Sequence, residues 1–182
     1  LSVDDTQLHI DPGPGSIVKA AEYGVPLRNN TAVIVTNTSL YRCNDVNAVV
    51  DAMTLSGFDR TGVLVGCKEV VSGDAQGNVY IHSQSKQWVE KCIALDPGGR
   101  VGINTIEIRA LPLRHSSESS IGLKIFTSRF VMGYSSDTAY SADLVQEFKD
   151  VDLLLLHVVS PGENKIPYSL CTEDAKKIIA AV

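Results

Sequence analysis

Apolar residues come in short clusters along this chain, and their spacing changes from one cluster to the next. Residues 1–10 read as strand, turn and strand, with Asp4-Asp5 at the turn. Thr31-Ala32-Val33-Ile34-Val35-Thr36 is a β-branched run of the kind that fills a strand buried on both faces. From 44 to 55 the period changes, and Val46, Val49, Val50 and Met53 share one helical face. Residues 62–66 predict a second buried strand. Further strands are predicted over 79–81, 105–111, 122–126 and 130–134, and the third-from-last of these alternates polar and apolar as a half-exposed strand does. Helices are predicted over 16–22 and 141–149, the second with Ser141 as its N-cap. Residues 151–159 predict a central strand. A last helix opens on Thr172-Glu173-Asp174, with acidic charge at its positive dipole end, and repeats Ala175, Ile178, Ile179 and Val182 at helical spacing. Asp74-Ala75-Gln76-Gly77-Asn78 is the expected mobile loop, from its glycine and polar content. The pattern is α/β with antiparallel portions, without repeats or low-complexity segments.

Composition narrows the function classes. The chain has 182 residues, 44% hydrophobic and 20% charged, so it can bury a core without a disulfide or metal staple, and one domain over residues 1–182 is expected. It opens inside a hairpin pattern, and its last helix carries no Gly, Asn or Pro stop signal, so the domain is expected to be incomplete at both ends. The apolar run 151–159 is broken by Asp152 and His157 and falls far short of the ~20 residues of a membrane span. A net charge of −5 with no basic patch disfavours a sequence-independent nucleic-acid footprint. Cys43, Cys67, Cys92 and Cys171 are scattered, with no Cys-x-x-Cys. That distribution points to reduced thiols and a cytoplasmic protein rather than a disulfide frame or zinc knuckle.

Four segments carry candidate chemistry. In His9-Ile10-Asp11-Pro12-Gly13-Pro14-Gly15 a strand ends in Asp before a Pro/Gly turn. Asp11 either orients a site, since strand ends in α/β sheets face the ligand crevice, or caps the turn or the helix after it. The glycines do not match a P-loop. The segment 36–45 joins a buried strand to a helix and has no His, and Asn44 or Asp45 is its expected cap. Leu113-Arg114-His115-Ser116-Ser117-Glu118-Ser119-Ser120 holds a lone His in a serine-rich loop. In Tyr134-Ser135-Ser136-Asp137-Thr138, Asp137 either ligates a metal, or makes an Asx turn or caps the following helix.

Taken in this order, the segments resemble the metallo-β-lactamase superfamily, and are most similar to its archaeal and ribonuclease Z-like branch of metal-dependent hydrolases. Asp11-Pro12-Gly13-Pro14-Gly15 and Tyr134-Ser135-Ser136-Asp137-Thr138 are the most specific pieces. Asn44-Asp45-x-Asn47-Ala48-Val49-x-Asp51-Ala52-Met53-Thr54 and Leu170-Cys171-Thr172-Glu173-Asp174-Ala175 are further ones. The resemblance implies an αββα sandwich with a metal site at one edge between two sheets, and the loop of Asp11, Gly13 and Gly15 as a structural part of that site. It also implies a His-x-His-x-Asp-His signature, whose positions here hold Asn37, Ser39, Tyr41 and Arg42. None of these is a usual zinc ligand, and Arg42 brings a positive charge that cannot be removed by deprotonation. His115 matches the His of the third motif and Asp137 the bridging Asp, while Ser169 stands where the branch often has a His.

The resemblance leaves two readings. In the first the chain is a pseudoenzyme with a degenerate zinc site and no metal. It binds a protein partner, as the inactive companion of an active paralogue or a subunit of a larger assembly, with homo-oligomerisation also compatible. Arg42 then takes over the metal's charge and pairs with Asp137. In the second it is a divergent hydrolase of phosphoester or acyl substrates, with His115 as general base and Asp137 as its orienter. This second reading also admits one zinc on His115 and Asp137, with Cys43 or His157 recruited. The bland alternative for His157 is a hydrogen-bonded residue at a strand end. A two-metal centre with ions ~3.5–4 Å apart is not expected in either reading.

Overall fold

Strand β3 (Asn30–Val35) is the spine of the first sheet, and Ala32, Val33, Ile34 and Val35 on it are fully buried. The computed structural model describes residues 1–182, and the chain divides into two compact units, Leu1–Leu95 and Asp96–Val182. The first unit runs β1 (Ser2–Val3), β2 (Thr6–Ile10), α1 (Ser16–Glu22), β3, α2 (Leu40–Cys43), α3 (Val46–Thr54), β4 (Val63–Cys67), α4 (Lys68–Ser72), α5 (Ser83–Trp88) and β5 (Lys91–Leu95). Its five strands lie in the order β1-β2-β3-β4-β5, parallel except for the β1/β2 hairpin. Parallel strands in the middle of a sheet are buried on both faces, which explains why β3 and β4 read as unbroken apolar runs. Val46, Val49, Val50 and Met53 of α3, the stripe predicted from the sequence, are all fully buried.

One predicted strand is missing from this unit, for an identifiable reason. Residues 79–81 form no strand. The side chain of Asn47 engages the backbone there instead: its Nδ2 donates to the Tyr80 carbonyl at 2.9 Å, and its Oδ1 accepts from N of His82, just past the run, at 2.9 Å. The loop expected to be mobile is gathered by one carboxylate. Asp74 accepts from Gln76 N, Asn78 N, Asn78 Nδ2 and the Tyr80 hydroxyl, at 2.7–3.0 Å. The amide of Asn78 and the hydroxyl of Tyr80 hold its pKa below the ordinary carboxylate value.

The second unit runs β6 (Arg100–Ile103), β7 (Ile106–Pro112), β8 (Ile121–Phe126), β9 (Val131–Tyr134), α6 (Ala142–Glu147), β10 (Leu153–Leu155), β11 (Val158–Ser160), β12 (Leu170–Cys171) and α7 (Thr172–Ile179). Its main sheet has the order β10-β9-β8-β7-β6, antiparallel from β6 to β9, with β10 parallel to β9. β11 and β12 form a separate two-stranded piece. The predicted central strand 151–159 is therefore corrected: it is an edge strand, broken at Leu156-His157. Leu153 and Leu155 are 45% and 46% exposed, while Leu154 and Leu156 turn inward.

Leu111, Leu144, Val145, Phe148, Leu170 and Ile178 form one buried cluster, with Leu154 and Leu156 packed against it. Gly133 on β9 makes room for Phe148, because a Cβ there would lie 2.8 Å from the Phe148 ring. Helix α6 is capped by Ser141 as predicted, its Oγ accepting from Leu144 N at 3.2 Å. At the start of α7, Cys171 and Asp174 form a capping box. Asp174 is buried and accepts from Lys165 Nζ at 2.7 Å, Cys171 N at 3.3 Å and Cys171 Sγ at 3.1 Å. Burial pushes its pKa up, but Lys165 and the two Cys171 donors outweigh that, and the carboxyl lies below its ordinary value.

Two measurements test these packing arguments. Phe148→Ala empties the centre of the cluster and is expected to cost about 3–5 kcal/mol in urea unfolding. Asp174 has a depressed folded pKa, so its contribution is present above the unfolded carboxyl pKa and lost as pH falls through the folded one. The stability difference between wild type and Asp174→Asn should stay constant from neutral pH to about 5 and shrink below about 4.

Candidate functional site

In the first unit the candidate residues are organised around one carboxylate. After β2, Asp11 adopts a left-handed conformation (φ 50°), and its N–H donates to the Ile34 carbonyl on β3 at 2.8 Å. This turns the side chain toward the end of β3. Asp11 Oδ1 accepts from Thr36 N at 2.8 Å, and the Thr36 hydroxyl lies 2.9 and 2.8 Å from the two carboxylate oxygens. Arg42 Nη1 is 3.6 Å from Asp11 Oδ2, with the two side chains only 12% and 4% exposed. A carboxylate this buried is tolerated only when donors and a counter-charge meet it. The Asp11 side chain does not cap α1, as one of its two readings had it, but is taken by Thr36 and Arg42.

The rest of the loop follows from that anchor. Gly13 lies against α2, and a Cβ on it would sit 2.2 Å from the Tyr41 carbonyl oxygen, so only glycine fits. Gly15, at φ 85°, opens α1. Asp45 stands at the N-cap position of α3 but makes no side-chain cap there. Its Oδ2 instead accepts from Ser16 N, the first residue of α1, at 2.9 Å, and its own N–H donates to Pro12 O at 2.8 Å. The expectation that Asp45 caps its own helix is corrected: the carboxylate is drawn to the neighbouring helix start, where orphan N–H groups and the dipole both favour it.

Asn37 and Ser39, two of the four positions that the resemblance aligns with the signature, are used to start α2. Asn37 Oδ1 accepts from Ser39 N at 2.9 Å, and Ser39 Oγ from Tyr41 N at 3.4 Å. The Tyr41 side chain points outward, and the residue is 80% exposed. Cys43, a possible recruit, is buried, and its thiol donates to the Thr38 carbonyl. Burial, then the charges of Asp11 and Cys67, push its pKa up to about 11.

The second unit brings its own candidates onto adjoining loops. Arg114 and Ala139 form an isolated antiparallel bridge, and Arg114 N donates to the Thr138 hydroxyl at 3.1 Å. This bridge ties the His115 loop to the Asp137 loop. The Tyr168 ring lies 5.7 Å from the His115 ring, and the neighbouring Ser169 donates its hydroxyl to the Pro167 carbonyl at 3.5 Å. Asp137 Oδ1 is 2.6 Å from His157 Nδ1, and His157 N donates to Ser135 Oγ at 2.9 Å. His157 is thus both a strand-end residue held by hydrogen bonds and the partner of Asp137.

His115 has its Nδ1 inside a nest of donors. Ser117 N donates to it at 3.1 Å, and Ser120 Oγ lies at 3.0 Å. A backbone N–H can only donate, so the neutral ring carries its proton on Nε2. Metal-binding imidazoles have the reverse arrangement, with the second nitrogen donating to a carboxylate or carbonyl. Within each unit no three His, Cys, Asp or Glu side chains are grouped to hold a metal ion. In the first unit, amide, hydroxyl and guanidinium groups at 37, 39 and 42 are not a donor set that fits the metal the resemblance implies. Thr36 falls in the segment 36–45 singled out from sequence but is given no role there, and Tyr168 lies outside every such segment. The place of Thr36 at the end of a buried strand is a usable signal, but no local pattern marks Tyr168.

Comparison with known proteins gives the following matches. The family model described as "Beta-lactamase superfamily domain" matches residues 6–182. An uncharacterized protein of Methanocaldococcus jannaschii is 26% identical over 179 residues, covering 98% of this chain and 67% of that protein. The metallo-beta-lactamase fold protein YhfI of Bacillus subtilis superposes with a TM-score of 0.78 at 19% identity, covering 96% of this chain and 68% of that one. The short form of human tRNase Z gives a TM-score of 0.69 at 10% identity, over 100% of this chain and 79% of that one. The chain spans about two thirds of the length of the first two of these.

The Asp11–Arg42 pair is testable by a double-mutant cycle. Arg42→Gln leaves a buried carboxylate short of its counter-charge and is expected to cost about 2–4 kcal/mol in urea unfolding. Adding Asp11→Asn to that variant should cost less than the two single losses together, by about 1–3 kcal/mol.

Proposed function

The chain belongs to the beta-lactamase superfamily and carries its metallo-β-lactamase fold, and on that premise we propose that it is a metal-independent pseudoenzyme that acts by binding a protein partner. The partner is an active paralogue or a larger assembly that includes this subunit. The reading rests on the commitment of the Asp11 carboxylate to Thr36 and Arg42 at the signature segment. Two further features support it. Asn37 and Ser39 serve as helix-starting acceptors, and His115 Nδ1 is taken by Ser117 and Ser120. Groups that would have to face a metal or substrate have internal hydrogen-bonding tasks. No helix is long and apolar enough to cross a membrane, and the reading places the protein in the cytoplasm, where its four free cysteines stay reduced.

One observation favours a second reading, a metal-free hydrolase. His157 Nδ1 and Asp137 Oδ1, 2.6 Å apart, have the geometry of an oriented general base. Asp137 accepts the Nδ1 proton, which leaves Nε2 as the basic nitrogen. In this version His157, and not His115, takes the proton from an attacking water, with a phosphoester or acyl group as substrate. The hydrogen bond from Ser117 to His115 Nδ1 removes His115 from that task.

Elemental mass spectrometry and an esterase screen on the full-length protein, purified without chelator and then soaked in zinc, separate the readings. The pseudoenzyme reading expects less than about 0.1 metal per chain and no turnover of phosphodiester or thioester substrates. One or more metals per chain, lost on His115→Ala or Asp137→Ala, overturns it. Metal-free turnover that falls about 10²–10⁴-fold on His157→Ala establishes the second reading instead.

A further inference from the structure

We propose that Arg42 is this chain's built-in substitute for a bound cation, and that its charge, more than the loss of ligands around it, keeps a metal ion out of the 36–45 segment. The inference rests on the metal-independent reading above and assigns its physical cause. Asp11 and Arg42 are 4% and 12% exposed at the side chain, with 3.6 Å between carboxylate oxygen and guanidinium nitrogen. Arg42 sits in α2, whose start is held by Asn37 and Ser39 and whose Tyr41 carbonyl lies against Gly13. The helix that carries Arg42 is therefore held in place, and its guanidinium lies at the Asp11 carboxylate. The guanidinium cannot swing away without leaving the buried Asp11 carboxylate, still hydrogen-bonded to Thr36, short of its counter-charge, and it cannot lose its proton at any ordinary pH. A dication brought to within contact distance of it meets repulsion several times thermal energy, even at a dielectric typical of a protein surface. Neutral side chains at the same place would merely fail to bind a metal, whereas Arg42 repels one.

Comparing zinc binding in two variants separates charge from ligand loss. Asn37→His, Ser39→His and Tyr41→Asp are introduced together, once with Arg42 retained and once with Arg42→Gln, which removes the charge and adds no metal ligand. Zinc affinity is measured by competition with a chromophoric chelator. We expect the version with Arg42→Gln to bind zinc at least about tenfold more tightly, and a third version with Arg42→Lys to behave like the one that retains Arg42. Equal affinity with and without Arg42, whether measurable in both or in neither, overturns the proposal. If the triple background does not fold, the single variants decide. Arg42→Lys should keep most of the wild-type melting temperature and Arg42→Gln should lose about 4–12 °C, and equal losses overturn it. Metal found in the wild-type protein would defeat the metal-independent reading, while equality between the variants would defeat only the role of Arg42.

Discussion

A carboxylate taken almost wholly out of water is the constraint from which the first unit's functional loops follow. Asp11 must be met by donors, and meeting them requires the left-handed turn that aims it at β3. That turn brings the Pro/Gly loop against α2 closely enough that position 13 tolerates no Cβ. Thr36 supplies two donors from the end of β3, and Arg42 supplies the charge from α2. Asp45 then closes the other side, hooking the start of α1. Each contact is modest alone, but together they convert two loops into one rigid piece. Their joint stabilisation comes from avoiding an uncompensated buried charge rather than from the attraction of any single pair.

The second unit satisfies its polar groups by a different route. Serine hydroxyls and backbone amides surround His115, and a backbone bridge joins its loop to that of Asp137. Beneath them, Phe148 and its aliphatic neighbours supply the apolar burial that holds α6, α7 and the edge strand in place. The unusual pair is Asp137 with His157, since an imidazole hydrogen-bonded to a carboxylate and nearly half exposed retains chemical potential that the buried groups lack. The two units thus treat their carboxylates differently. The first-unit segment is neutralised from within, while the second-unit carboxylate has a titratable partner open to solvent.

Helix α3 and strands β3 and β4 were legible because a single period or an unbroken β-branched run leaves one packing solution for each. Strand β5 and helices α4 and α5 were not. The two helices are short, and the sequence Ser83-Gln84-Ser85-Lys86-Gln87-Trp88 has no apolar stripe. Residues 79–81 looked like a strand because propensity reads side chains, whereas the outcome turned on Asn47, distant in sequence, engaging the backbone there. Residues 151–159 are apolar enough for a central strand. Sheet order, a property of neighbours, put them at an edge.

The same division runs through the candidate site. Residue identity alone determined that Asn37, Ser39, Tyr41 and Arg42 make a poor metal set, because ligand chemistry and the permanence of a guanidinium charge do not depend on where the chain places them. Partner choice was settled only by the tertiary structure. Within its own unit Arg42 meets Asp11, and Asp137 meets His157. Asp45 caps a helix other than its own, and the proton of His115 is sent to Nε2 by the Ser117 amide. The reason is physical. A hydrogen bond or ion pair is decided over about 3–4 Å in space, and residues far apart in sequence reach that range only after the apolar core has brought their loops together.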